Sequence, residues 1–327
     1  MTAPPYAMGV QLNLAAYKDK ARLDAKAFDA RGDEELRAML PLAFDARKHW
    51  KRCPSIGRVV DQGCCGSCWA YASAMVMTDR QCILANEHFE YSAQHLLVCS
   101  KTSNHSTPCK GGDPADAFDF WVTRGVVSGG EFNSYVGCMP YIYAPAGNQC
   151  RASATPLECL QQCQISYPRQ FKKDLHFGER YMLLPQNRPV IMQSEILRGG
   201  PIVAILDAYE DFKCYESGVY EHVAGELEGA HAVRLIGWGT ENGVPYWLAA
   251  NSWGKAWGER GLFKVRRGTN ECNIESLRVA TGFPSTVDVK GDAETTTGQQ
   301  SAEGEASEAV SDGDGKDYTY DYDLDDY

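Results

Sequence analysis

The pattern of apolar and polar positions predicts three helices in the first half of the chain. Residues 68–86 are mostly Ala, Met, Ser and Leu with few helix breakers, which is typical of a helix. Residues 92–99 form a shorter one, because Ser92 can cap its N-terminus and two leucines supply an apolar face. Over 113–125 a proline in the first turn, an apolar stripe and a final glycine predict the third.

The pattern changes after about residue 218, where short apolar runs are separated by glycine-rich turns. Residues 232–236, 245–250 and 261–265 are predicted to be strands. A helical first half followed by a strand-rich second half predicts an α+β fold with two lobes and a cleft between them.

Composition divides the chain into three parts. Residues 1–40 are polar and alanine-rich, with a helical pattern over 23–40, and residues 41–284 are dense in Cys, Gly and aromatic residues. Residues 285–327 consist mainly of Asp, Glu, Ser, Thr, Gly and Tyr. We expect this last part to be a disordered acidic tail, because it cannot bury enough apolar area to offset its loss of conformational entropy.

Negative charge is concentrated in that tail. The whole chain has a formal net charge of −11, and the 13 acidic residues and two lysines of 285–327 account for all of it. The remaining body is therefore neutral, which argues against binding to nucleic acid or to an acidic membrane surface. No apolar run approaches the roughly 18 residues that a membrane-spanning helix needs.

Thirteen cysteines are scattered along the chain. Disulfides persist in oxidising compartments, so the sequence predicts a lysosomal, vacuolar or secreted protein, although no signal peptide is recognisable at its start. The odd count leaves at least one thiol unpaired unless a bridge is intermolecular. Cys65 and Cys68 form a Cys-x-x-Cys pair, but no second pair completes a zinc site, so we expect no metal.

The strongest chemical signal is the string Asp-Gln-Gly-Cys-Cys-Gly-Ser-Cys-Trp at residues 61–69. A cysteine attacks as the thiolate, and the pKa of a thiol falls at a helix N-terminus and beside a protonated imidazole. Cys68 begins a predicted helix, and the amide of Gln62 can bind an oxyanion together with the Cys68 N–H. An isolated cysteine here would more often be structural. The string Cys-Gly-Ser-Cys-Trp around Cys68, however, resembles the known signature of papain-like cysteine peptidases, and that resemblance favours a nucleophile.

A cysteine nucleophile needs a base, and the chain has seven histidines. His231 is favoured, because it stands in Gly-Ala-His-Ala-Val at the entry to a predicted strand, where small neighbours leave room for a substrate. The other six stand in polar or helical contexts that favour a solvated or hydrogen-bonded histidine. Asn251, 20 residues further on, can accept the second imidazole N–H, and Trp253 can shield that bond from water.

These residues resemble those of the papain-like cysteine peptidases, most nearly the cathepsin B group, over about residues 40–283. Further matching stretches are Phe-Asp-Ala-Arg at 44–47, Cys-Lys-Gly-Gly at 109–112, Gly-Cys at 137–138, Ser-Gly-Val-Tyr at 217–220 and Cys-Asn-Ile-Glu-Ser at 272–276. The resemblance implies a helical left lobe, a β-barrel-like right lobe and an active-site cleft between them. It also implies hydrolysis of peptide bonds in proteins or peptides through a thioester acyl-enzyme, with no cofactor.

The resemblance implies a role for each candidate residue. Cys68 would be the nucleophile, His231 the general base and then the acid, and Asn251 the residue that orients the imidazole. Gln62 would donate a hydrogen bond to the oxyanion. The implied substrate-binding residues are Gly111, Gly112, Pro114, Ala230, Trp253 and Leu277.

Within that substrate-binding set, Gly111 and Gly112 would pair with an extended substrate as a strand does. Trp253 would line the leaving-group side of the cleft. Leu277 stands where mammalian cathepsin B has an acid at the base of the S2 pocket. With Pro114 and Ala230 nearby, we therefore expect a preference for apolar or aromatic P2 residues over Arg, although an ordinary core leucine remains the alternative interpretation.

A second departure from the cathepsin B group concerns the occluding loop. That loop carries two histidines that bind the C-terminal carboxylate of a substrate and allow dipeptides to be trimmed. The equivalent stretch, residues 139–162, is short and contains no histidine. Without a cation, carboxylate capture loses its charge-assisted hydrogen bonds, so we expect an endopeptidase with weak or absent dipeptidyl carboxypeptidase activity.

The resemblance also implies four disulfides, namely Cys53–Cys82, Cys65–Cys109, Cys99–Cys159 and Cys138–Cys163. It leaves four further cysteines without an assigned partner, which are Cys64, Cys150, Cys214 and Cys272. Residues 1–40 occupy the place of a propeptide, although no known inhibitory motif is recognisable there. Cystatin-type inhibitors are the other expected partners, and we expect a monomer.

Two competing interpretations stay open. A catalytically inactive papain-fold protein that acts as a binding or matrix module would typically lose its nucleophile, whereas Cys68, His231, Asn251 and Gln62 are all present. A cathepsin L-like or plant-type enzyme is disfavoured by the insertion from Cys138 to Cys163 and by the many extra cysteines.

Overall fold

Helices and strands are both present, which confirms the predicted α+β class. The computed structural model describes residues 6–13, 15, 17–28, 32–100, 108–146 and 158–285. The α-helices are α1 (Lys18–Phe28), α2 (Asp33–Met39), α3 (Ala46–His49), α4 (Cys68–Ala85), α5 (Ala93–Cys99), α6 (Pro114–Arg124), α7 (Pro189–Gly199) and α8 (Glu210–Lys213). Short 3-10 turns cover Pro54–Gly57, Pro108–Lys110, Phe171–Lys173 and Glu271–Asn273.

One sheet contains the eight strands of the described chain. They are β1 (Phe44–Asp45), β2 (Gly178–Leu183), β3 (Ile202–Tyr209), β4 (Val219–Tyr220), β5 (Leu227–Glu241), β6 (Val244–Ala250), β7 (Leu262–Arg266) and β8 (Val279–Pro284). Their order is β2-β8-β3-β5-β6-β7-β4, with β1 added to β5. All pairs are antiparallel except the parallel pair of β4 and β7. The outer strands β2 and β4 do not pair with each other, so this sheet is open and not a closed barrel.

Helix α4 is the central helix of the structure. Its sequence is apolar on all sides, and 16 of its 18 residues are buried, as expected of a helix that lies inside a protein. It packs against β5 and β8 on one side and against α5 and α6 on the other. Asn86 ends the helix in the left-handed conformation, with φ of 56°, and its N–H bonds to the carbonyl of Cys82.

Two hydrophobic cores lie on either side of the boundary between the helices and the sheet. One surrounds α4, α5 and α6 and includes Trp69, Phe118 and Trp121. The other lies under the sheet and includes Phe212, Trp238 and other aromatic side chains. The two cores correspond to the two lobes that the sequence predicts.

A buried ion pair joins α4 to β5. The Arg234 guanidinium donates to the Asp79 carboxylate at 2.5 Å, and it also donates to the backbone carbonyls of Arg58 at 2.6 Å and Ile56 at 3.3 Å. The Asp79 side chain is fully buried and that of Arg234 is 3% exposed. Because buried charges need complete hydrogen bonding, this contact fixes how the helix sits against the strand.

The three helices that the sequence predicts are confirmed, each within one residue. The Ser92 hydroxyl caps α5 by accepting the His95 N–H at 2.9 Å, and the Asp113 carboxylate caps α6 by accepting the Ala115 N–H at 2.9 Å. Gly125 ends α6 with φ of 76°. The three predicted strands are confirmed as parts of β5, β6 and β7.

The predicted helical stretch over 23–40 is wrong in its bounds, because it consists of two helices. The first begins earlier, at Lys18, where the i, i+4 pair of Lys20 and Asp24 at 3.2 Å supports the first turns. The second begins after Gly32. The pattern analysis also missed β2, β3 and α7 entirely.

The ion pair between α4 and β5 generates a testable prediction. Replacing Asp79 with Ala would leave the Arg234 guanidinium buried without its partner, which costs about 3–5 kcal/mol. The free energy of unfolding of the full-length Asp79→Ala variant, measured by urea denaturation with disulfides intact, should fall by that amount.

The half-exposed pair of Arg266 and Glu221 provides a matched control. Glu221→Gln should change the free energy of unfolding by less than about 1 kcal/mol. Equal effects of the two substitutions would contradict the structural role assigned to the buried pair.

Candidate active site

Cys68 begins helix α4, and its side chain is fully buried in the cleft between helices and sheet. Its Sγ accepts the backbone N–H of Ala232 at 3.5 Å, and the N–H groups of Gly9 and Trp69 also face it. The unpaired N–H groups and positive dipole end of a helix N-terminus stabilise a thiolate. The start of α4 therefore suits Cys68 to nucleophilic attack.

His231 lies on β5, next to the residue whose N–H reaches the Cys68 sulfur. Its Nε2 bonds to Asn251 Oδ1 at 2.8 Å, and the ring of Trp253 covers that side at a centroid distance of 4.7 Å. Asn251 Oδ1 also accepts the Ser252 N–H at 2.8 Å, which fixes the orientation of the amide. Since Oδ1 only accepts, Nε2 carries the proton.

The other imidazole nitrogen is the one that can take a proton from the thiol. His231 Nδ1 is buried and has no hydrogen-bond partner among the described residues. With Nε2 protonated, Nδ1 bears the lone pair of the neutral ring. The tautomer set by Asn251 thus leaves the basic nitrogen of His231 available in the cleft.

Gln62 is held rigidly beside the thiol. Its Oε1 accepts the Ser252 hydroxyl at 2.6 Å, and its Nε2 donates to the carbonyls of Cys65 at 2.8 Å and Ala7 at 3.0 Å. One N–H of the amide is therefore directed at a carbonyl oxygen of a chain that lies in the cleft. This is the geometry that an oxyanion donor requires.

Both titratable groups of the pair are held in their neutral forms. Burial raises the pKa of the Cys68 thiol to about 11, although the surrounding N–H groups act in the opposite direction. Burial lowers the pKa of His231 to about 4, although its bond to Asn251 acts in the opposite direction. Near neutral pH the covered site therefore contains a thiol and a neutral imidazole.

The N-terminal segment of the chain, residues 6–13, fills the cleft. Its backbone pairs in parallel with Gly112, since the Gln11 N–H donates to the Gly112 carbonyl at 2.9 Å and the Gly112 N–H donates to the Gly9 carbonyl at 3.1 Å. The Val10 N–H donates to the Ala230 carbonyl at 3.3 Å. We call residues 6–13 the cleft segment.

Gly111 and Gly112 provide the strand-like edge for this pairing. Gly111 has φ of 111°, a conformation that a side chain would strain, and a Cβ on Gly112 would lie 2.4 Å from the Trp69 ring. Both positions therefore need glycine for the backbone to reach a bound chain. Trp253 lies at the opposite end of the cleft segment, stacked on Tyr6.

Three further residues were predicted to bind substrate. Leu277 and Ala230 are partly buried and pack against the helical core, as do Val10 and Leu12 of the cleft segment. Pro114 is buried at the first turn of α6. Of the three, Ala230 contacts the cleft segment directly, because its carbonyl accepts the Val10 N–H.

The sequence analysis missed a buried charged pair beside this apolar surface. Asp113 accepts the Asn13 N–H at 2.8 Å and forms an ion pair with Arg278 at 3.3 Å. Arg278 also lies over the Tyr17 ring, 5.2 Å from its centroid, and Tyr17 donates to Asp116. The position of Asp113 directly before a predicted helical proline indicates an N-cap, but nothing in the sequence links it to Arg278.

The predicted short loop over 139–162 is described at its two ends only, because residues 147–157 lie outside the described part of the chain. At its start, the Tyr141 hydroxyl donates to the Gln62 carbonyl at 2.8 Å and bonds to the Ser67 hydroxyl at 2.6 Å. The beginning of this loop therefore supports the segment that leads into the thiol.

Nine cysteines of the described chain are in disulfides. Four bridges join Cys53–Cys82, Cys65–Cys109, Cys99–Cys159 and Cys138–Cys163, the pairs that the resemblance implies. Of the cysteines left without an assigned partner, Cys64 is disulfide-bonded, whereas Cys214 and Cys272 are free thiols. Cys150 lies outside the described residues, as does the predicted acidic tail from residue 286.

The described residues contain no group of three or more His, Cys, Asp or Glu side chains placed to hold a metal ion. Nor does the described part of the chain include a helix that is both long and apolar enough to cross a membrane.

Comparisons with known proteins identify similar chains. The family model for papain family cysteine protease matches residues 40–281. A cathepsin B-like cysteine proteinase of Schistosoma japonicum is 40% identical over 278 residues, which cover 82% of this chain and 80% of the relative. A gut-specific cysteine proteinase of Caenorhabditis elegans is 44% identical over 270 residues, covering 81% and 78%.

A second Caenorhabditis elegans protein, cathepsin B-like cysteine proteinase 3, is 46% identical over 245 residues, which cover 74% of this chain and 65% of the relative. Among solved structures, procathepsin B S9 from Trypanosoma congolense superposes with a TM-score of 0.67 at 35% identity. That match covers 79% of this chain and 82% of that one.

The burial of Cys68 generates a prediction about thiol reactivity. In the intact chain at pH 7, iodoacetamide should modify Cys68 at least about tenfold more slowly than the exposed Cys214, because only an accessible thiolate reacts. Peptide mapping by mass spectrometry over time measures both rates in one sample.

A Cys214→Ser variant serves as the control, since it removes the fast site and should leave Cys68 slow. If Cys68 of the intact chain were modified before Cys214, the assignment of a covered, neutral thiol would be wrong.

Proposed function

Because the chain belongs to the papain family of cysteine proteases, we propose that it is the precursor of an endopeptidase whose cleft is blocked by its own N-terminal segment. The observation that carries this proposal is the position of the cleft segment. The Gly9 N–H faces the Cys68 sulfur, and the Ala7 carbonyl accepts a hydrogen bond from Gln62 Nε2. A nucleophile and an oxyanion donor are thus both in contact with a peptide chain.

In the proposed reaction, the Cys68 thiol gives its proton to His231 Nδ1 and the thiolate attacks the substrate carbonyl carbon. The oxyanion accepts hydrogen bonds from Gln62 Nε2 and the Cys68 N–H. The imidazolium then protonates the leaving amine, and the C–N bond breaks to give a thioester on Cys68. His231 next removes a proton from water, which attacks the thioester carbon. The C–S bond then breaks, the acyl part leaves as a carboxylic acid, and the imidazolium returns the proton to the Cys68 thiolate.

Asn251 acts in this scheme through the imidazole. Its Oδ1 accepts the Nε2 proton at 2.8 Å, so it keeps Nδ1 directed at the thiol while the ring gains and loses a proton. The Trp253 ring covers this bond and excludes water from it. We therefore treat Asn251 as a positioning residue and Cys68, His231 and Gln62 as the catalytic residues.

The direction of the cleft segment explains why it blocks the site without being cut. A substrate would place its acyl part on Gly112 and its leaving amine toward Trp253, so it would run from Gly112 to Trp253. The cleft segment runs the other way, from Tyr6 on Trp253 to Val10 beside Gly112. In this direction, attack on the Ala7 carbonyl would expel the amine toward the acyl side, away from the groups that assist it.

Release of the segment would also change the protonation states of Cys68 and His231. Burial opposes both the thiolate and the imidazolium while the cleft is covered. Exposure of the cleft to water removes part of that cost, and each ion then stabilises the other. The same residues would therefore form a neutral pair in the precursor and a reactive ion pair in the processed enzyme.

The chain offers a place where processing can occur. Helix α2 ends at Met39 and strand β1 begins at Phe44, and Leu42 between them is 94% exposed. A protease needs such an exposed, irregular segment. We infer that cleavage within residues 40–43 separates the N-terminal part from the peptidase part, which extends to residue 284.

Two features support endopeptidase activity with an apolar P2 preference. The sequence of 139–162 contains no histidine to capture a substrate carboxylate. Leu277 and Ala230 pack against the same helical core as Val10 and Leu12 of the cleft segment, and Arg278 is already paired with Asp113. An Arg side chain at P2 would therefore meet apolar groups and a like charge.

The disulfides support an oxidising location, so we propose a lysosomal, vacuolar or secreted enzyme that acts on protein or peptide substrates. Cystatin-type inhibitors, which would compete for the processed cleft, are proposed partners. The processed enzyme is proposed to be a monomer, and its neutral body gives no reason to expect nucleic acid as a partner.

Hydrolysis of two fluorogenic dipeptides tests the proposal. The full-length chain is folded intact, with a recognition sequence for a site-specific protease in place of residues 41–43, and is then cut there. Under reducing, mildly acidic conditions the cut protein should hydrolyse the Phe-Arg substrate at least about tenfold faster than Arg-Arg, because the S2 pocket is apolar.

The Cys68→Ala variant, treated identically, should hydrolyse neither substrate. Comparable hydrolysis of both substrates would still support a peptidase but would refute the apolar P2 preference assigned to Leu277. A folded, cut protein without any hydrolysis would instead support an inactive binding protein.

A further inference from the structure

A distinct subsite lies beneath Tyr6 on the leaving-group side of the cleft. The Tyr6 ring stacks on the Trp253 indole, with centroids 5.1 Å apart and planes inclined by 2°. Its hydroxyl donates to the Trp253 carbonyl oxygen at 2.6 Å and lies 3.3 Å from Asp61 Oδ2. Tyr6 is buried there, so the chain itself demonstrates that a planar side chain with a donor at its end fits this place.

The polar groups that meet the Tyr6 hydroxyl are both acceptors. One is a backbone carbonyl oxygen and the other is a carboxylate oxygen, and the Trp253 indole adds the electron-rich face of an aromatic ring. A single phenol hydroxyl has one proton and cannot serve both acceptors fully. The subsite therefore offers more negative potential than its present occupant uses.

Asp61 brings a negative charge that no cation neutralises among the described residues. Its other oxygen, Oδ1, accepts the N–H groups of Gly63 at 2.8 Å and Ala146 at 3.3 Å, which leaves Oδ2 directed at the occupant. The Glu131 carboxylate adds further negative potential at this end of the cleft. The Arg58 side chain is paired with Glu131 and Glu90.

We propose that, in the processed enzyme, this subsite selects an Arg or Lys side chain on the leaving-group side of the scissile bond. This inference rests on the proposed peptidase function and names part of its substrate class. A guanidinium stacked on Trp253 takes the place of the Tyr6 ring and donates to both the Trp253 carbonyl and Asp61. Arg should be favoured over Lys, because a planar guanidinium both stacks and donates two hydrogen bonds.

The negative charge of Asp61 disfavours substrates whose C-terminal carboxylate would lie in this subsite. A C-terminal carboxylate placed near Asp61 would meet a like charge, and no described residue that contacts Asp61 carries a compensating cation. The leaving-group side is thus built for the interior of a basic segment of a protein and not for a chain end.

Internally quenched peptides test this selection. All peptides carry the same acyl half with Phe at P2 and a C-terminal amide, and differ in having Arg or citrulline at one of the first three positions after the scissile bond. Citrulline has the shape of Arg without its charge. The processed full-length chain should show a kcat/KM about tenfold higher for Arg than for citrulline at one of these positions.

Asp61→Asn separates charge from hydrogen bonding, because an amide oxygen still accepts the Gly63 and Ala146 N–H groups. The ratio of kcat/KM for Arg over citrulline should fall to near one in this variant. The exposed Glu216, which forms no hydrogen bond with Asp61 or Tyr6, provides the matched control, and Glu216→Gln should keep the full ratio.

The outcomes distinguish this proposal from the function on which it rests. If the unmodified sequence cleaves the peptides but its kcat/KM ratio for Arg over citrulline is near one at all three positions, the selection of a cation is refuted. The proposed peptidase function would still stand. An unchanged ratio in Asp61→Asn would overturn the role of Asp61, and this holds even if the overall rate of the variant falls. Failure to cleave any peptide or the Phe-Arg dipeptide would refute the proposed function itself.

Discussion

The geometry of the cleft depends on how one helix sits against one strand. Helix α4 carries Cys68 and strand β5 carries His231, 163 residues apart in the sequence. The Asp79–Arg234 pair lies three helical turns from the thiol on α4 and three residues from the imidazole on β5, and it is fully enclosed by protein. A helix that rotated or slid would leave two buried charges unpaired, so the contact allows one relative position only. The Ala232 N–H at the Cys68 sulfur is a direct product of that position.

In the proposed precursor, the second constraint is that a complete catalytic arrangement must be kept from acting. We propose that the cleft segment does this by occupying, in the reverse direction, the groups of Gly112 and Gln62 that a substrate would use. It also buries the thiol and the imidazole, which favours their neutral forms. Tyr6 anchors the leaving-group end on Trp253, and the Asn13–Asp113 bond anchors the other. Removal of the segment would open the subsites that now hold it. The side chains of the segment therefore indicate which kinds of substrate side chain these subsites can bind.

Sequence patterns predicted the parts of this account that local physics determines. The Ser92 cap, the proline in the first turn of α6 and the glycine at its end are local signals, so the three predicted helices are accurate to one residue. Strands β2 and β3 were not predicted. For β3, Ile202–Tyr209, the reason is that a short apolar run cannot be distinguished from a buried helix by its pattern alone. The pairs Asp79–Arg234, Asp113–Arg278 and Tyr6–Asp61 join residues far apart in the chain, and nothing in the sequence specifies them. Family resemblance identified Cys68 and His231 but gave no hint that Asp61 faces the cleft.

We propose that Cys68 is the nucleophile of a site that the N-terminal segment of the same chain covers. The most direct measurement is the intact mass of the protein, acid-quenched during turnover of a slow ester substrate, followed by peptide mapping. After cleavage within residues 41–43, an acyl group should be found on Cys68, and the uncut chain should acquire none. Acylation of Cys214 or Cys272 instead, or equal acylation of Cys68 in cut and uncut chains, would contradict the account.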